Sequence, residues 1–337
     1  MANEAARKDL ARRLDDGVAA GALARLHGVV VLQRGEPVFE RYWTDEDEAW
    51  GRPLGRVAYG PDKLHDLRSV TKSIVGLLYG IALDDGLVPP PETRLLDAFP
   101  GFEHLANDRR RQRETLEHVL TMTMGNRWTE GLDYTDPGNA EVQMEQSSDR
   151  VRFVLEQPME REAGQLWHYS GGATALLAAL IVRGSGRTLS AFCLERLLSP
   201  LGIESFEWVK GPMLGDDVPA SGLRLRLPDL ARIGAMVLRG GRANGGQVVP
   251  ASWIERSMVA RTSLPGDELG YGYQWYLLPT RGPARFHAAN GNGGQKLSLH
   301  RDGEIVIAIN AGRYNDPEAW RLPYAVAVDH VFPTLFG

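Results

Sequence analysis

The sequence predicts an α+β fold: an antiparallel sheet flanked by helices, with a mostly helical domain inserted. Three observations carry this. β-rich runs occur near both ends of the chain, and short turns such as Arg34-Gly35 and Arg301-Asp302-Gly303 join them. Strands joined by hairpins run antiparallel, whereas parallel strands need long crossovers. Between the two sets of strands, apolar residues recur at helical spacing instead of alternating. The expected division puts residues 1–83 and 181–337 in a discontinuous α/β sheet domain and 84–180 in a mostly helical one.

The elements follow in order. Glu4 to Ala19 is charged and amphipathic, and reads as a helix. GVVVLQRGEPVFERYW reads as a hairpin turning at Arg34-Gly35. Gly51 to Asp66 reads as loop. A helix begins near Ser69 and stops around Asp84-Asp85-Gly86, where glycine supplies a C-cap. LVPPPETRLLDAFPGF is turn-rich. RRRQRETLEHVLTMTMG reads as one helix ending near Gly125, and SSDRVRFVLEQPM as another, N-capped by Ser148 or Asp149. ATALLAALIVRGSG and LSAFCLERLLSPLGI are apolar helices. LPDLARIGAMVLRGG, the turn ANGGQ and the short helix PASWIERSMV come next. YGYQWYLL, QKLSLHRDG and EIVIAINAG read as strands, and a last helix is expected from about Pro317 to Val331. No internal repeat is present.

Composition excludes some functions. The chain has 337 residues, long enough for a large core, and a formal net charge of -5. No basic field argues for nucleic acid or an anionic membrane. The amino-terminal stretch lacks an apolar h-region, and no run approaches the ~18 residues of a membrane span. Cys193, the only cysteine, forms no intrachain disulfide and reads as a small buried residue. These features lead to an expectation of a cytoplasmic protein. Asp84-Asp85 and Asp216-Asp217 read as solvated caps. The eight histidines show no H-E-x-x-H and no close pair, so neither a metal nor another cofactor is expected.

Of 38 basic residues only five are lysine, at positions 8, 63, 72, 210 and 296. Lysine is therefore more informative here than usual, because lysine can be tuned to lose its proton and arginine cannot. Lys72 lies three residues after Ser69 in DLRSVTKSIVGLLYG, at a helix start. A cation in a first turn opposes the helix dipole, so helix stability does not explain it. On a helix, positions i and i+3 share a face, so the amine can reach the hydroxyl. A neutral lysine can take the serine proton, and the helix N-terminus favours the developing oxyanion. Two later features complete a pattern: Tyr169 in WHYSGG before an apolar helix, and the glycine-rich bend GNGGQ opening a strand at Gln295.

On these residues the sequence resembles the serine β-lactamase and penicillin-binding-protein superfamily. It is most similar to the branch of class C-like esterases and amidases that includes 6-aminohexanoate-dimer hydrolases. SVTKSIVGLLYGIALDDGLV, TLEHVLTMTMG and SGLRLRLPDLARIGAMVLRGGRANGGQVVPASWIE also carry the resemblance, which runs from about Gly28 to the last strand. It implies a β-lactamase/transpeptidase-like fold with the active site at the domain interface. It further implies Ser69 as nucleophile, Lys72 and Tyr169 as acid/base, and the backbone N–H groups of Ser69 and Gln295 as oxyanion hole. Asn292-Gly293-Gly294 would match the lysine-bearing strand motif and contact substrate.

Two positions depart from the pattern. Gly171 stands where many relatives have asparagine, and Asn292 where β-lactamases and transpeptidases have lysine. Loss of that lysine removes a partner for a substrate carboxylate. The expected function is a serine hydrolase (carboxylesterase or amidase type) acting on a small ester or amide through an acyl-enzyme on Ser69. Lys72 is expected to be kept partly neutral by burial. The alternatives are a β-lactamase or DD-peptidase, and a non-catalytic penicillin-binding or sensor protein on the same fold. Trp128 and Tyr134, on a loop, are expected to contact substrate, with Trp167 and His168 as further candidates. His287 reads as strand-end surface. A Ser-His-Asp hydrolase is disfavoured because G-x-S-x-G is absent. The expected partner is a small molecule, and the oligomeric state is open.

Overall fold

The computed structural model describes residues 4–266, 268–278 and 286–337. The strands are β1 (Leu26–Gln33), β2 (Glu36–Tyr42), β3 (Thr44–Ala49), β4 (Arg52–Ala58), β5 (Leu64–Asp66), β6 (Phe206–Trp208) and β7 (Leu223–Arg226). There follow β8 (Arg242–Ala243), β9 (Gly246–Gln247), β10 (Thr262–Ser263), β11 (Gly270–Tyr271), β12 (Tyr276–Leu278), β13 (Phe286–Asn290), β14 (Lys296–His300) and β15 (Ile305–Ala311). The helices are α1 (Glu4–Ala19), α2 (Val70–Asp84), α3 (Leu95–Ala98), α4 (Leu116–Leu120), α5 (Ala140–Glu145) and α6 (Arg150–Leu155). They continue with α7 (Gly171–Ser185), α8 (Leu189–Cys193), α9 (Leu227–Leu238), α10 (Ala251–Ser257), α11 (Arg321–Ala325) and α12 (Phe332–Leu335).

The fold is α+β, an antiparallel sheet flanked by helices. The main sheet has eight antiparallel strands in the order β10-β11-β12-β13-β14-β15-β1-β2, so strands from both ends of the chain meet at β15 and β1. β1 is buried along almost its whole length because both faces of the sheet are covered. Alternation decides which residue goes where. Val29 and Val31 join Leu10 and Leu14 of α1 and Leu322, Val326 and Leu335 of the carboxy-terminal helices. Val30 and Leu32 face the opposite core, with α2, α7 and α9. Each fully buried aliphatic side chain of this kind contributes roughly 1.5–3 kcal/mol.

α2 is apolar all round, and its residues from Val70 to Ala82 are buried. Gly80 lets it press against Trp253: a Cβ there would lie 2.0 Å from the indole. Trp253 Nε1 in turn donates to the Gly76 carbonyl at 2.9 Å. Among the described residues every strand lies within 1–83 or 181–337. Between 84 and 180 lie helices, turns and the isolated bridges Arg94–Thr115 and Asn126–Met159. This distribution supports the two-region division, which is kept as a proposal. Its boundary at 180 falls inside α7.

Several elements differ from expectation. The stretch read as loop from Gly51 holds β4 and β5. β3 and β4 pair through a tight turn in which Trp50 (φ 48°) and Gly51 (φ 83°) are both left-handed. The helix expected from Arg109 to Gly125 is broken. Arg109–Arg113 is 3-10, Glu114 and Thr115 are extended, and Thr115 restarts the helix as N-cap with His118 in a capping box. YGYQWYLL is split between β11 and β12 by Gln274 (φ 64°). The last helical segment begins at Arg321 and continues past Val331 to Leu335. His287 lies inside β13 and is buried, and burial lowers its pKa to about 4.

Candidate active site

Ser69 is the N-cap of α2, but its side chain makes no capping hydrogen bond. The hydroxyl is thus left for other partners. Arg68, immediately before it, has φ 47°, a conformation that costs a non-glycine residue about 1–2 kcal/mol. Several contacts hold it there: Asp66 at 3.2 Å, Glu48, and the Tyr314 ring 4.5 Å beneath the guanidinium. This turn brings Ser69 out of the sheet side and onto the start of α2.

One turn along α2, Lys72 Nζ lies 3.1 Å from Ser69 Oγ. The amine is buried. It also reaches Glu141 Oε2 at 3.2 Å, Glu130 Oε1 at 3.4 Å and the Ala220 carbonyl at 3.3 Å. Burial acts to lower the ammonium's pKa, but Glu141 and Glu130 together outweigh it and hold the pKa above its ordinary value. The direction is opposite to the lowering expected from burial, because two acidic side chains that sequence reading did not single out surround the amine.

Those glutamates are themselves held in place. Glu130 Oε2 accepts from Trp128 Nε1 at 2.6 Å and from the Gly171 N–H at 2.5 Å, and its Oε1 accepts from the Tyr134 hydroxyl at 2.9 Å. Glu141 Oε1 accepts from Ser221 Oγ at 2.7 Å. Asn139 caps α5 and so fixes the direction of Glu141. Burial raises the Glu130 carboxyl to about 7, helped by the charge of Glu141 and opposed by Lys72. Glu141 stays below its usual value: burial acts to raise it, but Lys72 and hydrogen bonds from Glu130 and Ser221 prevail.

Tyr169 directly precedes Ser170, whose side chain caps α7 by accepting from the Ala173 N–H at 3.2 Å. Its ring centroid is 4.9 Å from Lys72 Nζ, which itself reaches Ser69 Oγ, so the phenol stands beside both. Burial and the charge of Glu130 keep the phenol protonated, with its pKa well above the ordinary value. Trp167 packs against Tyr169, Tyr271 and Tyr276, behind the site. His168 is half-buried, and its N–H bonds the Met122 carbonyl.

The bend between β13 and β14 closes the other side. A Cβ on Gly291 would lie 2.7 Å from the Leu67 carbonyl, so the bend sits against the approach to Ser69. Gln295 is just before β14, which begins at Lys296, one residue later than expected. Its Oε1 accepts from the Gly293 N–H at 2.8 Å and its Nε2 donates to the Ala311 carbonyl at 2.7 Å. Neither the Ser69 nor the Gln295 backbone N–H bonds another described residue. Asn292 is paired with Asn315 through two hydrogen bonds of 2.8 and 3.1 Å. Lys296 points to Asn290 Oδ1 at 2.7 Å, with its pKa lowered to about 8 by burial.

A cavity of about 240 Å³ opens on Ser69, walled by Tyr134, Glu141, Ser221, Asn292 and Asn315 among others. Of the residues expected to meet substrate, Tyr134 and Asn292 are in this wall. Trp128 is not: it is buried against Phe153 and holds Glu130. The Gly293 and Gly294 N–H groups are engaged within the bend, by Gln295 Oε1 and the Gly291 carbonyl. Of the acidic pairs read as solvated caps, Asp217 is buried and accepts from the Ser190 N–H and Lys210 Nζ.

Sequence spacing also gave no sign that His27, Asp47 and His65 meet. Their ligand atoms lie within 4.8 Å of one another, buried in a separate cluster. The histidines share a 2.9 Å hydrogen bond, His65 Nδ1 bonds the Asp66 carbonyl, and the Tyr59 and Tyr314 hydroxyls donate to Asp47. Among the described residues no single helix is long and apolar enough to cross a membrane. One bent pair, α7 with Leu189–Leu201, meets the length and composition test.

The Beta-lactamase family pattern matches residues 7–329. A 6-aminohexanoate-dimer hydrolase of Paenarthrobacter ureafaciens is 25% identical over 290 residues, 79% of this chain and 70% of that one. A solved structure named "putative 6-aminohexanoate-dimer hydrolase from Bacillus anthracis" superposes with a TM-score of 0.74 at 20% identity, covering 96% of this chain and 83% of the other. EstCE1, described as a hydrolase with promiscuous acyltransferase activity, superposes with a TM-score of 0.70 at 14% identity, covering 99% and 100%.

Proposed function

The chain belongs to the beta-lactamase family, a hydrolase family, and on that premise we propose that it cleaves a small ester or amide through an acyl-enzyme on Ser69. The observation that carries this reading is the 3.1 Å contact between Lys72 Nζ and Ser69 Oγ at the mouth of a cavity. Ser69 attacks the substrate carbonyl as Lys72 and Tyr169 manage its proton. The oxyanion is received by the backbone N–H groups of Ser69 and Gln295, two fixed donors worth several kcal/mol in the transition state. Tyr169, its phenol kept protonated by burial, has a proton available for the leaving group. Water then releases the acyl group. The names of the relatives, a 6-aminohexanoate-dimer hydrolase and a hydrolase with promiscuous acyltransferase activity, support a hydrolase that forms an acyl-enzyme.

The cavity wall argues against carboxylate-bearing substrates such as β-lactams and peptidoglycan stems. It includes Glu48, Glu141 and Glu145. Its cation, Arg68, is already paired with Glu48 and Asp66. The test is a panel of short-chain nitrophenyl esters, linear amides and nitrocefin, with Ser69→Ala as control. Turnover of esters or amides that Ser69→Ala abolishes is expected. Full hydrolysis by the variant would sink the reading, and preferential nitrocefin turnover would replace it with a β-lactamase.

A further inference from the structure

The mechanism just proposed leaves two buried glutamates unused. Glu130 and Glu141 come from different elements, the loop after α4 and the start of α5, yet both converge on the same ammonium. With both ionised, the group would hold one cation and two anions away from water. Such a buried excess charge is costly. Two carboxylates held on one buried ammonium, at 3.4 and 3.2 Å, favour keeping a proton on one of them, and burial accordingly raises Glu130 while Lys72 holds Glu141 low.

Resting on the serine-hydrolase reading, we infer that Glu130 and Glu141 are positioning residues that take up the Ser69 proton through Lys72. As the Ser69 O–H bond breaks and Oγ bonds the substrate carbon, the carbonyl π pair moves onto its oxygen. Lys72 Nζ binds the serine proton and passes one of its own to Glu141 Oε2, so its charge is +1 before and after. When the acyl carbon loses its leaving group, that group departs with the bonding pair and a proton returned along the same path, through Lys72 or by way of Tyr169. Deacylation repeats the exchange: a water proton goes to the carboxylate, its oxygen to the acyl carbon, and Ser69 recovers a proton through Lys72. No other reactant is needed.

Geometry sets this arrangement apart from a lysine acting alone. Lys72 Nζ lies 3.1 Å from Ser69 Oγ, and the two glutamates beside it hold its pKa up, so a proton must leave the amine before it can take the serine's. The carboxylate at 3.2 Å is the acceptor in direct contact. The groups facing the pair are Lys72 on α2, Tyr134 beside Glu130, Glu145 on α5 with its partner Arg150 on α6, Tyr169 before α7, and Tyr271 and Tyr276 on β11 and β12. Among these, Glu130 and Glu145 are raised by burial to about 7, and Glu145 is held by Arg150 instead of Lys72. The pair titrates as a unit.

The experiment follows the rate of Ser69 labelling by a fluorophosphonate, and kcat/KM for a nitrophenyl ester, from pH 5 to 9. Wild type should show a rate rising through a limb near neutrality. Glu130→Gln and Glu141→Gln each leave a single carboxylate beside Lys72. Each should move the limb at least one unit toward acid and lower the plateau ten- to a hundredfold, with KM within about threefold. Ser221→Ala and Tyr134→Phe each remove a donor to one carboxylate and also alter the cavity wall, so their readout is the position of the limb and not the plateau. They should move the limb the other way, which a merely structural role would not do, and they stand in if a Gln variant fails to fold. Limbs that stay in place in all folded variants overturn the inference while leaving the serine-hydrolase reading intact. A wild-type protein that is never labelled at Ser69 overturns both.

Discussion

The indole N–H of Trp128 donates to Glu130 Oε2 at 2.6 Å, so an aromatic expected to meet substrate from a loop instead orients an acid behind the lysine. Trp128 is buried, and its ring meets Phe153 edge-on with centroids 6.1 Å apart. Its work is done from inside the core.

Trp128→Phe should therefore keep the packing and lose the donor. Leaving a buried carboxylate short of one hydrogen bond costs about 1–3 kcal/mol. Urea unfolding should show that loss, while KM for a short ester changes little. A large rise in KM with unchanged stability would return Trp128 to the substrate wall.

Ser69→Ala and Lys72→Met should part company in stability. Ser69 makes no capping hydrogen bond, so the usual loss of ~1 kcal/mol for removing a serine cap is not expected. Removing Lys72 strands two buried carboxylates, and breaking a buried pair of this kind costs about 3–5 kcal/mol. Both variants should lose ester hydrolysis. Thermal or denaturant unfolding separates them, and equal midpoints would contradict the burial of charge around Lys72.

Acid stability should depend on two buried histidines. Burial holds His27 and His287 down to about 4, against 6.5 for an unhindered imidazole. The unfolded chain binds protons at these sites between pH 6.5 and 4 while the folded chain does not. Stability is therefore full above about 6.5 and falls as pH drops toward 4. At about 1.36 kcal/mol per unit, each contributes on the order of 3 kcal/mol to that fall. His287→Gln should flatten part of the decline in urea midpoint between about pH 7 and 4. An undiminished slope would show that His287 is already protonated in the fold.

Asn292→Lys should shift substrate preference. Asn292 lines the cavity, and its side chain is paired with Asn315. A lysine there would offer a cation to a substrate carboxylate. The ratio of kcat/KM for a carboxylated ester over its neutral analogue should rise about tenfold, equal to about 1.4 kcal/mol of differential binding. No change in the ratio would mean that the side chain does not meet substrate.

Much of this was legible in the sequence because local rules carried it. α1 was readable from its amphipathic spacing and the first hairpin from Arg34-Gly35, whose φ values of 53° and 79° form a tight turn. Trp50-Gly51 makes the same kind of turn but was missed, since the flanking TDEDEA and RPLGRVA carry charges where strands usually carry alternating apolar residues. Ser69 and Lys72 were readable because one helical turn fixes their relation, and Tyr169 because it precedes an apolar helix. Glu130 and Glu141 were not, since nothing periodic links a loop glutamate, a short helix and a lysine some sixty residues earlier in the chain. The available clue was Asn139, a capping residue two positions before Glu141 in a stretch otherwise read as loop.

The pairing of β1 with β15 also has a consequence for how the polypeptide is made. Leu26 to Gln33 finds its second neighbour only among residues 305–311, so during ribosomal synthesis the first hairpin waits with one bare edge until that distant strand has been made. Contacts this distant close slowly, and an open strand edge invites pairing with other nascent chains. Yield in a cell should therefore respond to chaperone supply and translation speed more than the stability of the finished molecule would suggest.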